Sequence, residues 1–518
     1  MTPAFKVFLV AAILFLLGFY FHFAASSHDA GFHFSDSVRY LFMADAFSGA
    51  SDELTLLIAR NSVYPPLFPL LLGVLGAGTD SIALAHVLTI ATLALACAAC
   101  FWWLTEEQLT VIERLAVVLV VLLLPGTFLH SMVIASEYLF LALILSALAA
   151  FRKSGPGGTW ILVAAMLVGL SILTRTIGIA LLPVLVLAGL RLGYRKLAYA
   201  LLVSLCPYLL WRLFREGGGA TAGYLELLFV FLQKNSLTEI AHYVVAQLQY
   251  MFGFWVRIFD RWSSAHVVLI QVFLLVPAGA VFLHRLCRLK ADSVFLLCYL
   301  GIIVIWPFPH SLERFTVILV PIFLFYCILA VKVVSEKLDI SALNGLLKTS
   351  VLVLLIVSSM PTLLFWYNRF SLPVEPQISG QKFSQAWYWD LDTNRTIFTA
   401  GKIDRIYRLL EAIDDHVAAE ECVYTTMVDM VALYSKRKAK ILPVDMYRNA
   451  ESGYGYDFSQ LTECNYILFL SVSVVQVPQF VSMYPIQAAK PHVNPILLSE
   501  MTHEGKEIAV AALAEIVK

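Results

Sequence analysis

The side chains with chemistry to do in this 518-residue sequence are a few ionisable groups in or beside long apolar runs. Charge at membrane depth is costly, so such groups are functional candidates by default. Asp36 lies in Phe34-Ser35-Asp36-Ser37-Val38-Arg39-Tyr40, shortly after the first apolar run. On a helix it shares a face with Tyr40, four residues on, which makes it a functional candidate. It could equally cap that helix by accepting from a free backbone N–H, and the two roles are compatible. Glu137, in Ser136-Glu137-Tyr138, opens a later run. It either stabilises a helix N-terminus through the macrodipole or offers a second carboxylate to the same cavity. Arg175, in Thr174-Arg175-Thr176, stands between two apolar stretches. There it either snorkels to the interface or holds a phosphate through charge-assisted hydrogen bonds.

Two proline-marked segments complete the set. In Trp306-Pro307-Phe308-Pro309-His310-Ser311-Leu312-Glu313-Arg314 the prolines break the helix where the chain leaves an apolar run. His310 and Arg314 then form an anion-binding pair, unless the segment is only a turn in which Glu313 balances Arg314. In Tyr64-Pro65-Pro66-Leu67-Phe68-Pro69, three prolines over six residues suggest a rigid interfacial or re-entrant lead-in, or a plain interfacial anchor.

The elements that must position these groups follow from composition. The chain is 60% apolar and 14% charged, with mean hydropathy +0.80, against about 45–50% and about 25% in soluble domains. An ordinary soluble protein is excluded, as are disorder and a disulfide miniprotein. Lys plus Arg and Asp plus Glu are each 36, and no basic stripe with interleaved aromatics suggests a nucleic-acid partner. A bilayer core about 30 Å thick needs roughly 20 apolar helical residues per span. Eleven candidate spans lie near 5–25, 80–104, 114–129, 133–151, 159–174, 177–192, 197–214, 266–283, 291–308, 314–331 and 349–368. The first lacks a small-residue cleavage signature and reads as a retained helix. Alternating the spans from a cytoplasmic N-terminus puts thirteen cations in short inner loops and nine over longer outer segments, in keeping with the positive-inside rule. All five candidate segments and the C-terminus then fall outside.

From about Phe370 the chain turns polar through Pro373, Pro376 and Gly380, and no later run is long enough to span. Residues 1–369 therefore read as a transmembrane domain and 370–518 as a small extracytoplasmic α/β domain. In the latter, Cys422–Thr425, Ile441–Val444 and Tyr466–Val475 are strand-like and Asp429–Lys438 helix-like. The stretches Ser27–Tyr64 and Arg215–Ala265 are the other sizeable nonspanning pieces.

Taken in chain order, the five segments resemble the GT-C glycosyltransferases, multispanning enzymes that use polyprenyl-phosphate-linked sugars on the noncytoplasmic side. Protein mannosyltransferases and the aminoarabinose transferases of lipid A are members. The likeness covers roughly residues 5–331 and does not extend to the C-terminal domain. It implies a polytopic helical GT-C-like fold of about eleven spans in the plasma or inner membrane. It also implies transfer of one sugar, with inversion, from a polyprenyl phosphate to an acceptor glycan, lipid or protein. By the same resemblance Asp36 is the general base or acceptor-orienting acid, and Tyr40, Tyr64, Glu137, Arg175, His310 and Arg314 bind substrate. No cofactor is implied, and the lack of a D-x-D near Asp36 gives no indication of a metal.

Two other classes fit the same charges. One is a transporter or flippase for an amphipathic lipid or anion, which would carry ionisable groups at the midplane, whereas the candidates here cluster at outer ends. The other is a noncatalytic envelope assembly factor. Six cysteines lie in or beside spans and read as small apolar packers. Cys422 and Cys464 each precede a strand-like run and could form a disulfide in an oxidising compartment, or remain free thiols.

Overall fold

The computed structural model describes residues 3–25, 35–214, 235–306, 312–337, 350–361, 405–442, 458–470 and 492–517, apart from a few short interruptions within these stretches. The chain divides into two compact units. The first comprises Met1–Ala25, Val63–Leu71 and His86–Ser371; the second gathers Ser26–Ser62, Leu72–Ala85 and Leu372–Lys518.

The first unit is helical. It holds α1 (Pro3–Ala25), most of α5 (Ile82–Glu106), α6 (Val111–Leu123), α7 (Pro125–Ser131), α8 (Glu137–Lys153), α9 (Thr159–Thr174), α10 (Leu182–Leu192) and α11 (Tyr194–Phe214). These are followed by α12 (Leu237–Phe259), α13 (Ala265–Cys287), α14 (Ala291–Val304), α15 (Leu312–Val317) and α16 (Val320–Lys337). Among the described residues three helices are long and apolar enough to cross a membrane: Pro3–His22, Ile82–Glu106 and Ala265–Cys287. Shorter apolar helices cover Thr159–Thr174, Thr176–Leu192 and Ala291–Val304.

Several expected spans are broken in the structure, and prolines mark most of the breaks. The run 114–129 divides at Leu124, with Pro125 starting α7. The run 314–331 divides between Val317 and Val320, with Pro321 in the first turn of α16, where its missing N–H and fixed φ do no harm. The run 177–192 starts as a 3-10 turn, Thr176–Leu181, before α10. Of the expected last span, residues 353–361 are helical.

Helix α8 is the hub of this unit. From Glu137 to Phe151 it is buried on nearly every side, as expected of a helix apolar all round. Helix α12 lies within Arg215–Ala265, a stretch expected to hold no span. Its start has a capping box, Ser236 with Glu239 at the third helical position, and both reciprocal bonds form.

The second unit contains a five-stranded sheet: β1 (Cys422–Thr425), β2 (Lys438–Ile441), β3 (Tyr466–Leu470), β4 (Val493–His503) and β5 (Lys506–Ile516), in the order β2-β1-β3-β5-β4. The three central pairings are parallel for β2-β1 and β1-β3 and antiparallel for β3-β5, and β4-β5 forms an antiparallel hairpin. A short helix, α17 (Val428–Ser435), makes the crossover from β1 to β2 and ends at Lys436 in the left-handed region. Strand β2 begins at Lys438, three residues before the strand-like run expected at Ile441. The core is Tyr424, Leu442, Ile467 and Phe469 packed on Ala512, Ala514 and Ile516.

Cys422 and Cys464 are disulfide-bonded, with Cα atoms 5.0 Å apart. The link closes a segment of 42 residues, a constraint of about 4 kcal/mol on the unfolded chain by loop entropy. Thermal unfolding in detergent, with and without reductant, should show a lower transition for the sheet unit once the bond is reduced. An unchanged transition would show that the bond adds nothing.

Candidate functional site

Glu137 is the first residue of α8 and is 2% exposed. Burial of a lone carboxylate would be prohibitive, and two guanidiniums meet it. Arg175 Nη1 stands 2.6 Å from Glu137 Oε1, and Arg314 Nε stands 3.5 Å from the same oxygen. Arg175 reaches it because α9 stops at Thr174 and the chain turns through an extended residue into the 3-10 turn. It also bonds Ser136 Oγ at 3.4 Å and lies over the Phe315 ring, 4.9 Å from its centroid. One acid thus faces two cations at a helix N-terminus, where the macrodipole adds further positive potential.

The Arg314 segment is held from several sides. Tyr299 Oη donates to the Phe315 carbonyl at 3.1 Å, and Trp306 packs edge-on against Phe315 at 5.7 Å. On α12, Gln247 Nε2 donates to the Trp306 carbonyl at 2.5 Å, and the Tyr243 hydroxyl donates to the same oxygen. Tyr64 is half-buried in this unit, just ahead of α4 (Leu67–Val74). His310 lies outside the described residues.

Asp36 and Tyr40 belong to the second unit, on α2 (Ser35–Phe47), and both are buried. Because α2 begins at Ser35, Asp36 sits inside the first turn and not at the capping position. A carboxylate is still favoured there by the helix dipole. The neighbours of α2 come from far along the chain. Arg39 Nε donates to Asp429 Oδ2 of α17 at 2.9 Å. Burial, more than any other cause, holds the Asp429 carboxyl above its usual range; Arg39 pulls it down and Asp36 pushes it up. On another side the segment 72–85 packs against α2. Thr79 donates to the Asp45 carboxylate from its N–H at 3.1 Å and its hydroxyl at 2.6 Å. A Cβ at Gly73 would strike the Ala44 backbone carbonyl, so glycine permits this close approach, and one at Gly78 would displace the Asp45 carboxylate.

Arg39 and Asp429 were not among the residues expected from sequence. They lie 390 positions apart, and nothing local couples them. Their pairing predicts a coupling of about 0.5–3 kcal/mol in a double-mutant cycle of Arg39→Ala and Asp429→Ala. Because a buried acid with a raised pKa favours folding in its protonated form, the Arg39→Ala deficit should shrink as pH falls through the carboxylate range. A deficit independent of pH would assign the loss to packing alone.

Neither a family model nor a curated protein sequence matches the chain. The fold is nevertheless shared with a solved structure, that of ArnT, a GT-C glycosyltransferase. Among solved structures the chain resembles ArnT from Cupriavidus metallidurans, an aminoarabinose transferase. With ArnT bound to undecaprenyl phosphate the TM-score is 0.52 at 14% identity, over 99% of this chain and 98% of that one. With the apo form it is 0.51 at 14% identity, over 98% of each. The oligosaccharyltransferase of Archaeoglobus fulgidus, in complex with zinc and sulfate, aligns over 96% of this chain and 73% of its own, at 13% identity and TM-score 0.48.

Proposed function

We propose that the chain is a membrane glycosyltransferase. It moves one sugar from a polyprenyl phosphate to an acceptor glycan, lipid or protein at the extracytoplasmic face, by direct displacement with inversion. Asp36 orients the acceptor and takes its proton as the new bond forms at the anomeric carbon. The departing lipid phosphate gains charge in the same step, and preorganised cations are most effective where charge develops. Arg175 and Arg314 supply them, with His310 as a third donor; Tyr40 and Tyr64 line the substrates, and Glu137 holds the two arginines in place.

The observation that carries this reading is the convergence of Arg175 and Arg314 on the single acid Glu137 at the start of α8. The two guanidiniums stand together at a helix N-terminus, where the macrodipole also favours an anion such as a phosphate. The ArnT likeness supports the donor class, since that structure holds undecaprenyl phosphate.

Incubating the purified enzyme with a panel of polyprenyl-phosphate sugars and following the products by mass spectrometry tests the reading; no turnover of any donor would overturn it. Arg314→Ala should raise the donor KM by roughly tenfold to hundredfold, the loss of one charge-assisted hydrogen bond of about 1.5–3 kcal/mol. Glu137 keeps Arg175 in that variant, so folding is preserved. An unmoved donor KM would remove Arg314 from the phosphate site.

A further inference from the structure

A polar cavity lies at the other end of α8 from Glu137. Fifteen positions separate Glu137 from Arg152, about 22 Å at 1.5 Å per residue, most of the depth of a bilayer core of about 30 Å. There Arg152, Arg191, Arg285 and Lys290 line a cavity of about 250 Å³ together with Glu107 and Asp292. Trp103, Leu148 and Phe151 form part of its apolar wall.

The charges do not cancel. Arg285 donates to both Asp292 oxygens, at 2.8 and 2.6 Å, and to Glu107 at 3.0 Å. Tyr326 also donates to Asp292, at 2.7 Å. Arg285 thereby satisfies the two acids, and Arg152 stands 3.9 Å from Glu107. Among the described residues the Arg191 and Lys290 side chains have no acid partner. Four cations against two acids leave two positive charges around one cavity between helices, beside apolar surface. A phosphate matches this set: its oxygens accept from a planar guanidinium in pairs, and an ammonium adds a point charge. Basic pockets between helices at a membrane face are of the kind that take lipid headgroups.

We propose that this cavity binds a phosphate anion, carried on a lipid headgroup of the adjacent leaflet or on a small soluble molecule, as a site separate from the Arg175 and Arg314 cluster. The test uses the full-length protein in detergent and native mass spectrometry. The probes are dioctanoyl phosphatidylglycerol, dioctanoyl phosphatidylcholine and inorganic phosphate. The wild type should retain an anionic probe in preference to phosphatidylcholine. Arg191→Ala/Lys290→Ala should weaken that binding at least tenfold, and Arg191→Lys/Lys290→Arg should restore it. Both side chains are at least partly exposed, so the alanine variant keeps the fold; an unshifted melting temperature verifies this, and the two single variants serve if it shifts. Displacement of phosphatidylglycerol by millimolar phosphate, or binding of phosphate alone, identifies a soluble ligand; retention against phosphate identifies the headgroup. Equal retention of the two lipids without phosphate binding, binding of no probe, or alanine variants that bind as the wild type does would overturn the proposal. None of these readouts depends on sugar transfer, so this site and the proposed activity fail separately.

Discussion

Asp36→Asn should lower sugar transfer by about 10²–10⁴-fold, the range for loss of a general base, with the protein still inserted and its melting temperature little changed. Asparagine keeps the size and polarity of the side chain in the first turn of α2 but cannot take a proton. Asp36 is 8% exposed, and its neighbourhood already holds the Arg39–Asp429 pair, so removing one negative charge relieves repulsion with Asp429. Folding should therefore be unharmed while chemistry fails. The donor KM should stay near its original value, since the assigned role is toward the acceptor. Turnover at the wild-type rate would refute the role, and a large fall in melting temperature would make it structural.

Glu137→Ala should be among the most destabilising single changes in the helical unit. Removing one partner of a buried ion pair typically costs about 3–5 kcal/mol, because the remaining charge is left uncompensated. Here two guanidiniums, with side-chain exposures of only 12% and 10%, would lose the carboxylate they share. Thermal unfolding in detergent should show a clear drop in the midpoint. Glu137→Ala/Arg175→Gln should recover part of it, because one of the two buried cations has gone. An unchanged midpoint in the single variant would mean that the arginines reach solvent or another acid once Glu137 is absent. Activity should fall with stability, since the cations assigned to the phosphate lose the group that fixes them.

Both predictions concern residues that were visible in the sequence, for a common reason. A charge inside or next to an apolar run is conspicuous because its burial is expensive, and Asp36, Glu137, Arg175 and Arg314 all stand out on that ground. The Ser236-to-Glu239 capping box was equally present as a helix signal ahead of α12, yet the polar residues of that stretch obscured it. The hairpin of β4 and β5 was harder to read. Its second strand runs through Ala509, Ala511, Ala512 and Ala514, residues with little intrinsic preference for strand; pairing with β3 and β4 holds it there.

By itself the sequence determined the apolar helical character, the polar C-terminal stretch and the short list of costly charges, because hydropathy and the cost of burial act through local composition. Only the tertiary structure decided which charges meet. It brought Arg175 and Arg314 onto one carboxylate, joined Arg39 to Asp429 across 390 positions, paired Cys422 with Cys464, and gathered the first loop with the C-terminal residues into one unit. Such partnerships depend on how helices and strands pack, and side-chain spacing along a chain carries no record of contacts made hundreds of residues away.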